Sequence, residues 1–503
     1  MTKGKERLWK AFYLCFGVIF LNLALRTVFL NYCFTYSIPW VLVGAAVWGG
    51  ALAGFYWLLG RLPVLVRRSR LTLAAALALQ LAVLVWMGTH LETVGNNDFG
   101  SVYHSAETWV LEGRFPEINY FSIYPNNMGA FLLLKDCFQL AHWLGTDRFF
   151  LVGLGLNLLS IEAGILGCFQ LARSLWDDRV GLTAAFAVAL WPPLYFWVAV
   201  FYTDMLTFGF GPWVLYLALR AGRAMESSRP KGMAWMAAAG LLAGLGGCIK
   251  ATALIPLVAG CVWLALGRLD WKRWLPGALA AVLAAGAVLA GLQLRVNAWL
   301  PAENRQMSLP AEHWVMMGLV GDGSYNHADY LVSTSIADPV QRKEYARSEI
   351  AARLTQRSPA KFLQFAQIKQ LRSWGSGNAD VSPFLEAEPL KPGIALQLGA
   401  SYGEYHFIYQ YASQSWQVVM LALLALAAWL GWRRPHWRLR LGLCAGSVLG
   451  VWLFLLLWEA GQRYIINCVP LLAVLMGAAV SGFAQNRGHG NRRLVQKREI
   501  AKF

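Results

Sequence analysis

The chain has 503 residues, 57% of them hydrophobic and only 14% charged, with a formal net charge of +17. Soluble domains carry about 25% charged residues, so a water-soluble globular fold is excluded. A basic balance also suits nucleic acid, but here Lys and Arg sit in short clusters between long apolar blocks, which is the pattern of the positive-inside rule. A nucleic-acid partner is therefore rejected.

A block of about 20 apolar residues spans the hydrocarbon core as a helix, and only helices or closed barrels satisfy their backbone there. The expected fold is all-α, a polytopic helical bundle of about 12 spans with outward-facing loops. In chain order the spans are expected at 8–30, 39–59, 71–88, 149–172, 180–200, 205–222, 233–249, 251–267, 275–297, 416–432, 441–458 and 464–483. The first block is too long for the apolar part of a cleavable signal, and no small-residue cleavage site follows it. The 24 Trp residues suit rings at both membrane interfaces. The eight cysteines, Cys33 among them, have no zinc-ligand or CxxC spacing.

Four regions follow. Residues 1–70 hold a basic tail and two spans, and 71–297 form a transmembrane core with a long outer loop at 89–148. Residues 298–415 are an outward-facing loop or small subdomain, with helices expected from Pro339 to Arg357 and from Pro359 to Trp374. Residues 416–503 hold the last spans and a basic tail.

Threaded this way, the clusters at Lys3–Lys10, Arg61–Arg70, Arg220–Lys231, Arg268–Arg273, Arg433–Arg440 and Arg487–Lys502 share one side. That side is the cytoplasm, so both termini of this multi-pass cell-membrane protein are expected there. The stretch from Met128 to Leu144 tests the threading, because it holds Lys135, Asp136 and His142. Such groups cost a few kcal/mol each at the bilayer centre, and counting the stretch as a span puts most basic clusters outside. It is read as a helix at the outer interface.

The outer ends of the spans gather five ionisable residues: Asp98, Asp204, Lys250, Glu459 and Arg463. Displacing a sugar from a lipid phosphate needs a carboxylate to take the acceptor's proton and cations to hold the departing phosphate. Asp98 is the candidate base. Lys250 and Arg463 are candidate phosphate holders, since Arg grips phosphate in two places. Asp204 is a second catalytic candidate, either positioning sugar hydroxyls or binding a divalent cation, and whether a metal is used stays open. Each has a plainer reading: Asp98 as a solvated loop acid, Asp204 as a helix cap, Lys250 as a snorkelling helix end, Glu459 and Arg463 as an i, i+4 pair. Glu459, Tyr124, Asn126, Asn127 and Asp322 are candidate substrate contacts. Tyr124-Pro125-Asn126-Asn127 opens the interfacial helix, and its Pro also suits a plain helix start.

The ordered set resembles the GT-C glycosyltransferase superfamily, in particular the glycosyltransferase family 39-like group of protein O-mannosyltransferases and lipid A aminoarabinose transferases. The shared features are Asp98 opening a long first outer loop, Tyr124-Pro125 before an interfacial helix, the turn from Arg173 to Arg179, Pro192-Pro193 leading to Asp204, and Arg463-Tyr464 before a span containing Pro470. The resemblance covers about 71–300 and the last spans. The stretch from Glu312 to Asn326 is similar to membrane proteins grouped with this superfamily, and it reads as shaping the acceptor site or as a subdomain turn. The resemblance implies a polyprenyl-phosphate sugar donor, an inverting transfer with Asp98 as base, and a glycan, lipid or protein acceptor in the cell envelope, with membrane lipid around the site. Two extra spans at the start, and the lack of a second acid after Asp98, depart from it. The rival class is a transporter or flippase of a lipid-linked glycan, which should show inverted repeats.

Overall fold

The computed structural model describes residues 3–30, 34–267 and 269–487; Cys33, Arg268 and the basic tail at 488–502 lie outside them. Every regular element among the described residues is helical. The N-terminal helices are α1 (Lys3–Phe29), α2 (Ile38–Arg61) and α3 (Ser69–His90), and the first outer loop holds α4 (Asn97–Glu112) and α5 (Met128–Trp143). The central helices are α6 (Phe149–Leu175), α7 (Asp178–Ala189), α8 (Phe210–Ser227), α9 (Arg229–Ile249), α10 (Ile255–Leu266) and α11 (Trp271–Trp299). The 298–415 segment carries α12 (Ala311–Met317), α13 (His327–Ser335), α14 (Pro339–Thr355) and α15 (Pro359–Trp374). The chain then returns through α16 (His406–Arg433), α17 (Pro435–Leu457) and α18 (Val469–Arg487).

Nine stretches among the described residues are long and apolar enough to cross a membrane: α1, α2, α3, α6, α9, α11, α16, α17 and Gln462–Gln485. They coincide with nine of the twelve expected spans. The other three, at 180–200, 205–222 and 251–267, are built from short or broken helices instead of one long helix each. Pro192 and Pro193 follow α7 closely, and Pro lacks the N–H a helix interior needs, so no continuous helix covers 180–200. α8 has only 18 residues and carries Arg220, Arg223 and Glu226. α10 has 12 residues behind a 3-10 turn, Ala251–Leu254.

Non-helical backbone at membrane depth is tolerated only where protein buries it. The run between α7 and α8 meets that condition, because Trp197, Phe201 and Asp204 are all 0% exposed. Its free carbonyls are served from α6: the Asn157 amide donates to the Trp197 and Val198 carbonyls at 3.2 and 3.0 Å, and the Ser160 hydroxyl to Met205 at 2.7 Å.

Contacts join the basic clusters at one end of the bundle. Lys5 donates to the Ala265 and Gly267 carbonyls, Arg438 meets Glu6 at 2.9 Å, Arg223 donates to Ser174, Arg273 to Glu226, and Ser69 to Asp178.

α5 has 16 residues, about 24 Å at 1.5 Å per residue, too short for the hydrocarbon core. Its first half is buried, while Trp143 and the adjoining Leu144 are exposed. Lys135 pairs with Asp136 at 2.8 Å, and Asp136 with Arg295 of α11 at 3.0 Å. α5 meets the end of α9 so closely that a Cβ on Gly129 would lie 1.7 Å from the Cys248 carbonyl oxygen. Gly129→Ala is therefore expected to destabilise the fold by about 1–3 kcal/mol, the usual cost of overpacking. Gly155→Ala, where a Cβ meets nothing within 4 Å, should leave stability unchanged. Melting curves of the two variants in lipid nanodiscs check this, and equal melting points would contradict the close approach.

Candidate active site

Asp98 lies in the first turn of α4, where a carboxylate is favoured by the helix dipole. The preceding residue, Asn97, has φ 50°. That left-handed conformation is uncommon for a residue with a side chain, and Asn tolerates it best. Asp98 Oδ1 accepts from the Tyr120 hydroxyl at 2.9 Å, which accepts from Asn127 Nδ2 at 2.6 Å, and Asn127 Oδ1 accepts from the Tyr202 hydroxyl at 3.0 Å. Asp98 Oδ2 meets Arg463 Nη2 at 3.2 Å. This contact places Asp98 and Arg463 on the same side of any membrane the bundle crosses.

Asp204 stands in the buried run before α8, in a short helical turn, Thr203–Leu206, with no side-chain cap. The helix-cap reading of this residue does not hold. Its Oδ1 accepts from Lys250 Nζ at 2.5 Å, and its Oδ2 lies 3.6 Å from Arg463 Nη1. Neither of these last two atoms makes a hydrogen bond, although both are buried. Lys250 projects where α9 ends. There Gly246 and Gly247 allow Ala253, Phe210 and Leu254 to approach within about 3 Å of where a Cβ would stand. Its ammonium also lies over the Tyr464 ring, 4.9 Å from the centroid.

Glu459 and Arg463 do not share a helix. α17 ends at Leu457, and a 3-10 turn, Gln462–Cys468, begins beyond Glu459. The i, i+4 pair is replaced by Arg463 contacting Asp98 and Asp204.

These residues line one cavity of about 880 Å³, near the upper end of the roughly 300–1,000 Å³ usual for ligand pockets. Asp98, Tyr124, Asn126, Asn127, Lys250, Glu459 and Arg463 all reach it. Asp204 is buried behind this wall. Asp322, expected among the substrate contacts, is not part of the lining. Its carboxylate accepts from the Ser324 backbone and hydroxyl and lies 3.8 Å from Arg372, so it holds a turn. Reasoning on the sequence missed Tyr120, Tyr202, Trp314 and Trp458, since aromatic residues are too common here to stand out. The signals available were their neighbours: Asp204 for Tyr202, Glu459 for Trp458, and the 312–326 stretch for Trp314.

A divalent cation fits poorly. Among the described residues no three His, Cys, Asp or Glu side chains gather as metal ligands. The two nearest carboxylates, Asp98 and Asp204, already share the Arg463 guanidinium between them.

The sequence matches, over residues 12–482, the family model described as a conserved hypothetical integral membrane protein. The chain belongs to that family. It is an all-α, multi-pass membrane protein. No curated protein matches it. Among solved structures it is similar to the archaeal oligosaccharyltransferase AglB from Archaeoglobus fulgidus, in complex with an inhibitory peptide and a dolichol-phosphate. There the TM-score is 0.45 and the identity 13%, covering 84% of this chain and 53% of that one. The apo form of the Archaeoglobus fulgidus oligosaccharyltransferase gives 0.44 and 14%, covering 85% and 53%. ArnT from Cupriavidus metallidurans bound to undecaprenyl phosphate gives 0.35 and 16%, covering 82% and 78%. The chain spans about half the length of the archaeal chains it matches.

Glu459 lies between the last two spans and is 8% exposed. Burial pushes its carboxyl from the ordinary 4.5 up to about 7, with the Asp98 charge adding to the shift and Arg463 opposing it. An acid whose folded value is raised binds more protons folded than unfolded. Stability is therefore full below pH 4.5 and falls as pH rises towards 7. At 1.36 kcal/mol per unit the loss is roughly 3 kcal/mol. In Glu459→Gln the fall should vanish. Melting points of both proteins between pH 4.5 and 8 test this, and parallel curves would show that Glu459 is not the group responsible.

Proposed function

We propose that this protein is a GT-C-type glycosyltransferase that moves a sugar from a polyprenyl-phosphate donor to an acceptor hydroxyl at the outer membrane face, with both termini cytoplasmic. The observation that carries the reading is the convergence of Asp98, Lys250 and Arg463 from distant parts of the chain on one large cavity, with Asp204 fixing the two cations from behind.

In this mechanism the acceptor oxygen attacks C1 of the donor sugar. The new C–O bond forms as the bond from C1 to the phosphate oxygen breaks. The acceptor proton passes to Asp98, which Tyr120 and Arg463 hold in place. General-base help of this kind contributes about 10²–10⁴-fold. The charge left on the polyprenyl phosphate is met by Lys250 and by the Arg463 guanidinium, both of which line the cavity. Charge stabilisation at a leaving group is worth most where water is excluded. Ile249 and Phe454 in the lining offer the prenyl chain an apolar path. Because the donor's lipid stays in the bilayer, the site has to sit at headgroup depth. No step is routed through a metal, since Arg463 stands between the carboxylates that would hold one.

Purified protein in nanodiscs, given radiolabelled undecaprenyl-phosphate sugars and an extract of cell-envelope glycans, lipids and proteins, should move label to an acceptor. Passage of the donor across liposomes without a glycosidic product would replace the transferase with a flippase.

A further inference from the structure

One wall of the cavity is used by none of the chemistry above. Trp314 on α12 and Trp458 just beyond α17 stack with centroids 6.2 Å apart and planes at 18°. Tyr124 meets Trp314 at 5.8 Å, and Tyr325 extends the wall through Tyr330 at 6.2 Å. Trp314, Trp458, Tyr124 and Tyr325 all line the cavity, with the Glu459 carboxyl beside them.

The two halves of this wall come from chain segments more than a hundred residues apart, yet they are bolted together. The Ala460 amide donates to the Gly323 carbonyl at 2.7 Å, and the buried Lys369 ammonium donates to the Gly318 carbonyl at 2.5 Å. A Cβ on Gly318 would lie 2.7 Å from the Trp458 carbonyl oxygen. Beneath, Arg353 grips both carboxylate oxygens of Asp329 at 2.7 Å, tying α14 to α13.

We infer that this wall is an acceptor platform for a carbohydrate: a sugar ring lies on Trp314 and Trp458, with hydroxyls bonded to Glu459 and the tyrosines, and offers one hydroxyl to Asp98. The inference rests on the transferase reading and narrows its acceptor from glycan, lipid or protein to a glycan. Three features favour it. Aromatic faces carry negative charge density and attract the C–H edges of a pyranose. A prenyl chain on the same wall would set hydrocarbon against the Glu459 carboxyl and the Tyr124 hydroxyl, which is costly. A peptide acceptor is often held by adding a strand to a sheet edge, and among the described residues there is no strand, only an isolated bridge between Thr93 and Pro389.

The test uses the full chain in nanodiscs and saturation-transfer NMR with a panel of methyl hexosides and methyl N-acetylhexosaminides, and a Ser/Thr-containing peptide as comparison. At least one glycoside should bind through its ring protons and the peptide should not. Trp314→Ala should weaken that binding about tenfold, while Trp314→Phe should retain most of it. The signal should persist after undecaprenyl-phosphomannose has bound, as confirmed by native mass spectrometry. Displacement by that lipid would assign the wall to the donor sugar and overturn the acceptor role, and binding of the peptide alone would overturn the carbohydrate assignment. Undecaprenyl phosphate binding is measured separately on wild type and Lys250→Met. Its absence from wild type would defeat the transferase reading itself, whatever the glycosides do.

Discussion

Asp98→Asn is expected to lower the rate of sugar transfer by about 10²–10⁴-fold while the protein folds and binds its lipid as before. The size follows from removing a positioned base. The intact fold follows from the residue's setting. The Asp98 side chain is 35% exposed, and ion pairs open to water contribute about 0–1 kcal/mol. Asn keeps an oxygen for the Tyr120 hydroxyl but turns its other edge into a donor facing Arg463. Arg463 then relies on Asp204 alone. Tyr120→Phe should act in the same direction and more weakly, because it loosens Asp98 without removing it. Single-turnover transfer in nanodiscs, with melting points alongside, separates the two effects. Normal transfer by a folded Asp98→Asn protein would end the base assignment and leave Asp98 as a partner for Arg463.

The helices were legible in the sequence wherever a single physical rule governed them. Nine spans were found because hydropathy over about 20 residues is a local property that no distant contact can reverse. The stretch around Lys135 was kept out of the membrane by its charges, and the structure gives those charges partners in Asp136 and Arg295. The three expected spans that are short or broken helices lie in the run from 180 to 267, where backbone buried by protein does not need one long helix. Hydropathy alone cannot distinguish burial by protein from contact with lipid. The candidate site was legible as a set of ionisable residues at helix breaks, since such groups are expensive near lipid and need a reason to be there. Their pairing was not legible. Whether Arg463 turns to Glu459 or to Asp98 depends on where α17 stops, a matter of one turn of backbone at Gly461. Asp322 shows the opposite failure: its Gly-Asp-Gly setting looked like a site, but a short polar turn needs the same residues to satisfy its own amides.

The second large effect is expected at Lys250. Asp204 is 0% exposed and Lys250 only 14% in its side chain. Removing one partner of a buried ion pair costs about 3–5 kcal/mol, because the other charge is left without compensation. Arg463 Nη1 is 3.6 Å from Asp204 Oδ2 and takes up part of the deficit, so Lys250→Met should fall at the lower end of that range. It should also lose most of its affinity for undecaprenyl phosphate. Those two losses have different causes, and a second substitution separates them. In Lys250→Met/Asp204→Asn the orphaned charge is gone, so the melting point should recover most of the way. The phosphate lipid should still bind weakly, because no ammonium has returned. Recovery of both properties in the double variant would mean that Lys250 serves only to neutralise Asp204, and the phosphate would then have to be held by Arg463 alone. Recovery of neither would mean that the Asp204 carboxylate itself organises this end of α8, with Lys250 as its dependant.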